Sequence, residues 1–275
     1  MLSCLSYQPT TMDPLALPPI ATAIPDALLR TVYASDQAMY PVALSYDRLR
    51  GWVEACPELC VCFRSPPAPG EALLSPGTEH DLNDGDGTDG DAVVGVIIVL
   101  PLRRQYWERL LNGRLKEPDV EPGEMFLGLS LGVHGQGRGT EGGAVVEEEV
   151  GLHVYHIERF GAFHGSVKGQ RFSEFALGEV AERARLKPGW NVIGISALTA
   201  TQDGKRTFQR LGFSPTGYRE LFVAKSPGQG PGVSGSDTQQ LRMVCLSPGQ
   251  GTHLNQAIDG GAIVAMSEMT VRYGM

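Results

Sequence analysis

The spacing of hydrophobic and polar residues predicts helices in the first part of the chain. Apolar residues at helical spacing indicate one helix over 25–39 and a second that begins at Ser45, a suitable N-cap. A third, short amphipathic helix is predicted over 105–113, because Asn112 and Gly113 are typical of a helix end.

Two apolar runs predict strands over 58–64 and 93–102, and the second of them is rich in β-branched residues. Pro101 cannot donate to a strand ladder, so it should lie at a sheet edge or a bulge. The second run is about half of the roughly 20 residues needed to cross a bilayer, and it is therefore interpreted as a buried strand.

The segment from Leu152 to Lys225 predicts strand, loop, helix, strand, helix and strand in that order. The expected bounds are, in turn, 152–160, 161–169, 173–187, 192–198, 201–211 and 218–224. Gly212 follows the last helix as its C-cap, and Pro188 with Gly189 ends the previous helix.

Four other stretches are rich in Gly, Pro and polar residues and predict little regular structure. We expect a flexible arm over 1–24, polar insertions near 66–92 and 132–149, and a disordered tail over 226–275. These bounds leave one domain over 25–225. The first insertion spaces Asp and Gly as a calcium loop does, but it lacks the Glu at the twelfth position and the flanking helices.

Charge and cysteine content narrow the classes of partner. The net charge of −8 argues against nucleic-acid binding through a broad basic surface. The five cysteines have no framework spacing and the N-terminus lacks a secretory signal, so a reducing compartment is expected, the cytoplasm or alternatively the nucleus. Cys56, Cys60 and Cys62 lack paired zinc spacing; Cys60 and Cys62 share one strand face and should pack as small apolar side chains.

The loop before the helix at Ser173 is the best candidate for a ligand site. A helix N-terminus presents unpaired N–H groups and a positive dipole end, which together attract a pyrophosphate. Gly169 allows close backbone approach, while Lys168 and Arg171 add positive charge. The alternative is an ordinary strand–helix connection with solvated basic residues.

The order of predicted elements from Pro25 to Ala224, together with Leu211-Gly212-Phe213 at the end of the last helix, resembles the GNAT superfamily of N-acetyltransferases. This resemblance implies an α/β (α+β) fold with a mixed, mostly antiparallel central sheet flanked by helices. In such a fold the cofactor-binding strand splays from the next strand. In that family the loop reads Arg/Gln-x-x-Gly-x-Gly/Ala, and Lys168, Arg171 and Ser173 stand at the matching positions.

The resemblance implies acetyl-CoA as cosubstrate, with its pantetheine along the strand that ends near Phe160. The cofactor contacts that follow from it are Phe160, Lys168, Gly169, Gln170, Arg171, Phe172, Ser173, Thr201 and Phe208. Thr201 and Phe208 replace an Asn and a Tyr that family members often have there. The missing phenol leaves Tyr218 or Tyr155 as the expected proton donor to the thiolate.

Acetyl transfer to an amine needs a base, because an amine with a pKa of about 10.4 is almost fully protonated at neutral pH. Glu158 is the candidate base. It lies two residues from His156 and hence on the same face of the predicted strand. The alternative is an ion pair between Glu158 and an arginine. His153 and His156, three residues apart, are expected to face opposite sides, which argues against a shared metal.

The sequence therefore predicts an acetyl-CoA-dependent N-acetyltransferase. The expected acceptor is a small-molecule amine, or alternatively a peptide amine, with no metal, nucleic-acid or membrane partner. A non-catalytic acyl-CoA-binding or interaction protein of the same fold is the second hypothesis.

Overall fold

The computed structural model describes residues 18–39, 44–66, 92–128, 147–161, 170–224, 241–246 and 263–274. The longer helices are α1 Asp26–Met39, α2 Tyr46–Ala55, α3 Arg104–Leu111, α5 Phe172–Arg185 and α6 Gln202–Arg210, with a short α4 at Pro122–Met125. The strands are β1 Ile20–Ala23, β2 Cys60–Arg64, β3 Val93–Arg103, β4 Glu148–Arg159, β5 Trp190–Thr199, β6 Ser214–Ala224, β7 Leu241–Leu246 and β8 Ile263–Tyr273. No described helix has the length and apolar character needed to cross a membrane.

The described strands form one eight-stranded sheet in the order β1-β2-β3-β4-β5-β8-β6-β7. Every neighbouring pair is antiparallel except β4 and β5, which run parallel. The mixed, mostly antiparallel sheet flanked by helices that the GNAT resemblance implies is confirmed.

The sheet has a buried layer on each face because its strands alternate side chains between the two faces. Val96, Ile98 and Leu100 of β3 belong to the first layer, which α1, α2 and α3 cover. Ile97 and Val99 of the same strand belong to the second layer, which α5 and α6 cover. The helices before β4 and those after it therefore lie on opposite faces.

Local signals fixed several element ends as predicted. The Ser45 hydroxyl accepts a hydrogen bond from the backbone N–H of Arg48 at 3.2 Å and caps α2. Gly113 and Gly212 follow α3 and α6 with φ of 76° and 84°, in the left-handed region that favours glycine. Pro101 lies beyond the last residue of β3 that pairs with β2, Ile98, so it sits at a locally open edge.

The predicted packing of the cysteines and of α3 is confirmed. Cys60 and Cys62 are buried in the first layer together with Cys56. Trp107 of α3 is buried there, and its ring lies against Gly151, where a Cβ atom would be 2.1 Å from the indole.

The prediction that residues 226–275 form a disordered tail is wrong for β7 and β8. β8 lies inside the sheet between β5 and β6, and its side chains Met269 and Thr270 are fully buried. Glu268 of the same strand forms ion pairs with Lys205 at 2.5 Å and Arg219 at 3.0 Å. β8 does not form a core by itself, but its side chains Met269 and Val271 join the first buried layer of the sheet.

The predicted arm over 1–24 is also wrong in part, because Ile20–Ala23 pairs antiparallel with β2 as an edge strand. A strand of four residues is too short to show a clear hydrophobic period in the sequence. Residues 1–17 lie outside the described residues. Most of the two polar insertions, at 67–91 and 129–146, lies outside them as well.

Candidate active site

The sheet opens between β4 and β5. These strands pair from Glu148 opposite Trp190 to Val154 opposite Ala197. Beyond that point β4 continues along β3 as far as Arg159, while β5 continues along β8. The splay expected from the resemblance is thus present. The residues of β4 after Val154 have no pairing partner on β5.

A β-bulge at Tyr155 marks the start of the splay. Ile98 of β3 pairs with His156, and the next residue, Val99, pairs with Val154. The extra residue reverses the alternation of side chains along β4. The expectation that His153 and His156 face opposite sides is therefore wrong, since both reach the face covered by α1 and α3.

His156 lies between two carboxylates. Its Nδ1 is 2.9 Å from Oδ1 of Asp36 on α1, and its Nε2 is 3.3 Å from Oε2 of Glu158. Burial alone would lower the pKa of His156, but the hydrogen bonds to Asp36 and Glu158 outweigh it and raise that pKa to about 9. His156 is therefore an imidazolium at neutral pH.

Glu158 keeps access to solvent within this cluster. Its side chain is 37% exposed, against 6% for His156. The predicted position on the face of His156 is confirmed, but the partner is this histidine and not the arginine of the alternative. The carboxylate stands beside the splay with one side held by the protein and the other open.

A small cavity adjoins the Asp36 carboxylate. Its volume of about 10 Å³ has room for one water, and its lining includes Trp52, Glu117 and Tyr155. Oδ2 of Asp36 is buried and makes no hydrogen bond within the described part of the chain. Burial and the nearby carboxylates of Asp36 and Glu117 raise the pKa of Tyr155, which makes it a poorer proton donor than an ordinary tyrosine.

Sequence reasoning missed Asp36. The available signal was an acidic residue at helical spacing from the buried Leu29 and Val32, hence on the apolar stripe of α1. A charged residue on such a stripe needs a buried partner. The identity of the partner could not be read from the chain, because His156 is far away in sequence.

His153 forms a second buried chain of polar groups on the same face. Its Nε2 is 2.6 Å from Oε1 of Glu117, and its Nδ1 is 2.9 Å from the hydroxyl of Ser196. The indole N–H of Trp107 donates to the same hydroxyl at 2.8 Å. Burial raises the pKa of Glu117, with the His153 hydrogen bond opposing it.

This set contains Ser, His and Glu but is not arranged as a nucleophile site. Ser196 and His153 are both 0% exposed, and the serine oxygen already accepts from Trp107. A substrate could not reach the hydroxyl without displacing the core. We assign this chain of groups to the packing between α3 and the sheet.

The N-terminus of α5 lies on the opposite face of the sheet. Arg171 is its N-cap and makes no side-chain cap hydrogen bond. The first intrahelical bond runs from the N–H of Phe175 to the carbonyl of Arg171, so the N–H groups of the preceding turn have no helical acceptor. This turn carries the predicted contacts Phe172 and Ser173. Gln170 is exposed just before it.

The side chain of Phe172 anchors this turn to the sheet. The ring is buried against Phe63 at 5.6 Å between centroids, and a Cβ atom on Gly95 would lie 2.2 Å from it. Its contribution to a ligand would therefore come from the backbone N–H. Lys168 and Gly169 lie outside the described residues, so their predicted roles remain predictions.

A cavity of about 200 Å³ separates the start of α5 from α6. It is lined by Arg171, Ser173, Glu174, Thr207, Arg210 and Leu211. The two arginines add positive charge to the dipole of the helix N-terminus. Arg210 was missed by sequence reasoning, which treated α6 only through its ends and through Phe208.

The other predicted contacts have structural roles in the described chain. The Thr201 hydroxyl caps α6 by accepting from the N–H of Gly204 at 3.0 Å. Phe208 is buried and packs against Phe213 with ring centroids 4.9 Å apart. Phe160, after β4, packs against the first core layer.

Tyr218 is separated from the splay. It lies on β6, with β8 between this strand and β5. Its hydroxyl is 2.5 Å from Oε1 of Glu220 and also contacts Nζ of Lys116. Burial raises the pKa of Glu220 to about 7. The structure therefore places Tyr218 in a cluster different from that of Glu158, and its role as a proton donor remains a prediction.

Comparison with known proteins finds similar solved structures but no similar sequence family. No family model matches the chain, and no curated protein matches it. Two crystal structures of Arabidopsis thaliana NAA60 are similar to it. The complex with acetyl-CoA has a TM-score of 0.42 and 9% identity, covering 93% of this chain and 98% of that one. The complex with a bisubstrate analogue has a TM-score of 0.41 and 10% identity, covering 94% and 99%.

The fold is established by the sheet order, by the single parallel pair of β4 and β5, and by their splay. The described chain therefore has the mixed, mostly antiparallel and splayed sheet that the GNAT resemblance implies.

Proposed function

We propose that this protein is a GNAT-superfamily N-acetyltransferase that transfers the acetyl group of acetyl-CoA to an amine. One observation supports this proposal above the others. The helix N-terminus suited to phosphate and the carboxylate suited to act as base lie on opposite faces of the sheet, and the sheet opens between them at the splay of β4 and β5.

The phosphates of the cofactor would bind at the start of α5. The N–H groups of Ser173 and Glu174, which have no acceptor within the helix, point out of the helix end, and Arg171 and Arg210 line the adjoining cavity. Lys168 and Gly169 precede this turn in sequence and would complete the cradle, as the GNAT resemblance implies. Charge-assisted hydrogen bonds from guanidinium to phosphate would orient the nucleotide end.

The pantetheine arm would then run through the splay. β4 is unpaired with β5 beyond Val154, so its backbone amide and carbonyl groups on that side are available to the two amides of pantetheine. The thioester would emerge beside Glu158 on the face covered by α1 and α2. These helices and the segment 105–126 would wall the acceptor side.

Glu158 would take the proton that the amine must lose. The neutral amine attacks the thioester carbonyl carbon, the C–S bond breaks, and CoA leaves as the thiolate. The proton of the attacking nitrogen passes to the Glu158 carboxylate, directly or through one water. Backbone N–H groups of the splayed strand would polarise the carbonyl oxygen, so full protonation of the thiolate is not required.

Two measurements test the proposal. Calorimetric titration with acetyl-CoA should show binding that weakens about threefold to tenfold in Arg171→Ala, because one guanidinium–phosphate contact is lost. Arg30→Ala is the matched control, since Arg30 is an exposed arginine on the opposite face, paired with Asp26. Equal binding by wild type and both variants would remove α5 from the cofactor site.

Turnover is tested by thiol release across a panel of amines. Glu158→Gln should lower the rate about a hundredfold without changing acetyl-CoA affinity, which is the loss typical of a general base. Absence of acetyl-CoA binding would contradict the proposal outright.

The second hypothesis, a non-catalytic acyl-CoA-binding protein, is favoured by one observation. Phe208 is packed in the core and offers no hydroxyl where the family often has one. Tight acetyl-CoA binding with no CoA release from any amine would support this reading over the enzyme.

A further inference from the structure

We propose that Asp36 and His156 are positioning residues for the transfer reaction, holding the Glu158 carboxylate at the splay in the orientation that accepts the proton of the amine. This inference rests on the proposed function. It concerns residues that do not touch the substrate and that act through Glu158.

The hydrogen bonds of His156 define its protonation. Both ring nitrogens face carboxylate oxygens, Nδ1 toward Asp36 and Nε2 toward Glu158. A carboxylate only accepts, and a neutral imidazole has only one N–H to donate. Both bonds are formed only by the imidazolium, so the geometry itself requires a cation at this position.

Asp36 makes that cation compatible with burial. His156 has a side chain 6% exposed, and an unpaired charge at such a site would be costly. Asp36, 14% exposed, supplies the opposite charge from α1. Among the described residues, Tyr155 on the bulge, Tyr33 on α1 and Glu117 beyond the small cavity also lie near this pair, and none of them adds positive charge.

The cation in turn orients Glu158. Its N–H reaches Oε2, so Oε1 is the oxygen left to take up the proton. If Asp36 lost its charge, a neutral His156 could present a lone pair to Glu158, and the carboxylate would lose its anchor. A base held in several orientations is less often aligned with the amine, which lowers the rate without altering cofactor binding.

The bulge at Tyr155 is what makes the cluster possible. Without the extra residue, His156 and Glu158 would face the layer under α5, away from α1. The same distortion that begins the splay therefore turns the base toward α1. The direction of Glu158, its contact with His156 and the start of the splay thus all lie at this one bulge in β4.

The decisive variant is Asp36→Asn, which keeps the shape of the side chain and removes its charge. We expect kcat/KM for the amine to fall about tenfold, while the KM for acetyl-CoA stays within about twofold of wild type. The alkaline limb of the pH–rate profile should move to lower pH by about one unit or more, because His156 loses its proton more easily.

The matched control is Asp26→Asn, the same substitution on the same helix. Asp26 is exposed and pairs with Arg30 and Tyr46, about 15 Å along α1 from Asp36. This variant should reproduce the wild-type rate and pH profile. If Asp36→Asn behaves like Asp26→Asn, the inference is overturned while the proposed function stands.

A measurement on the wild-type protein covers the case in which Asp36→Asn does not fold. Nitrogen-15 NMR of the imidazoles should show two ring protons on His156 at pH 7 to 8. A single ring proton there would overturn the inference regardless of any rate. Wild-type protein that binds acetyl-CoA but acetylates no amine would instead contradict the proposed function, and the positioning role with it.

Discussion

His153 and His156 lie three residues apart on β4, face the same side of the sheet and each contact a glutamate or aspartate, yet their surroundings differ. His153 is 0% exposed, and its second nitrogen meets the Ser196 hydroxyl, which also accepts from Trp107. His156 has carboxylates on both nitrogens, one of them on the partly exposed Glu158.

The comparison separates a closed polar network from an open one. A neutral His153 satisfies every bond of its chain, since Nε2–H can donate to Glu117 while the Ser196 O–H donates to Nδ1. His156 needs a positive charge to satisfy its own bonds, and its chain ends at solvent beside the splay. Buried networks with complete partners are typical of packing, whereas charged groups that end in an opening are typical of sites.

The largest expected effect is a difference in the free energy of unfolding between variants of Glu117 and of Glu158. Glu117→Ala removes the buried carboxylate that accepts from the imidazole N–H of His153, and it should lower the free energy of unfolding by about 3 kcal/mol. Glu158→Ala, at a side chain 37% exposed, should lower it by no more than about 1 kcal/mol. Urea denaturation followed by circular dichroism measures both. Equal losses in the two variants would erase the distinction between a closed and an open network.

Much of this site could be predicted from sequence, and the missing parts have a common cause. Periodicity places Glu158 and His156 on one face, because side chains two apart on a strand share a face whatever lies around them. It cannot place His153 relative to them, because the bulge at Tyr155 comes from pairing with β3 and leaves no local mark.

The same limit applies to the partners and to the tail. Asp36 and Glu117 meet the histidines only through tertiary packing, and nothing near them in sequence names those contacts. The sequence predicts disorder over β8 because the stretch after Lys225 is rich in Ser, Pro and Gly and contains little that can form an independent core. Its stability derives from being placed between β5 and β6.

The next effect is the pH dependence of stability, which should follow His156. Its pKa is raised from 6.5 to about 9 in the folded protein, so the folded state holds this proton more tightly than the unfolded state. The stabilisation is complete below about pH 6.5 and is lost as the pH rises through about 9, up to about 3 kcal/mol in all.

The contribution of His156 is separated from that of other groups by comparing the wild type with a variant that lacks this histidine. Unfolding free energies of wild type and His156→Gln are compared at pH 7 and pH 10, so that other alkaline titrations cancel. The wild type should lose its advantage over the variant across this range. A constant difference at both pH values would mean that His156 is not charged in the folded state.

The smallest effect tests whether the His153 chain serves packing alone. Ser196→Ala should lower the free energy of unfolding by about 1 to 3 kcal/mol, because Trp107 Nε1–H and His153 Nδ1 each lose a partner in the core. Thr270→Val is the matched control. It removes a buried β8 hydroxyl that donates one hydrogen bond to the carbonyl of Ala197, and it should lower the free energy of unfolding by about 1 kcal/mol.

Both variants should retain the pH–rate profile of the wild type, because neither hydroxyl belongs to the His156 chain. A shift of that profile in Ser196→Ala alone would show that the two histidines are coupled across the water-sized cavity between Asp36 and Glu117, and that the network treated as closed takes part in proton transfer.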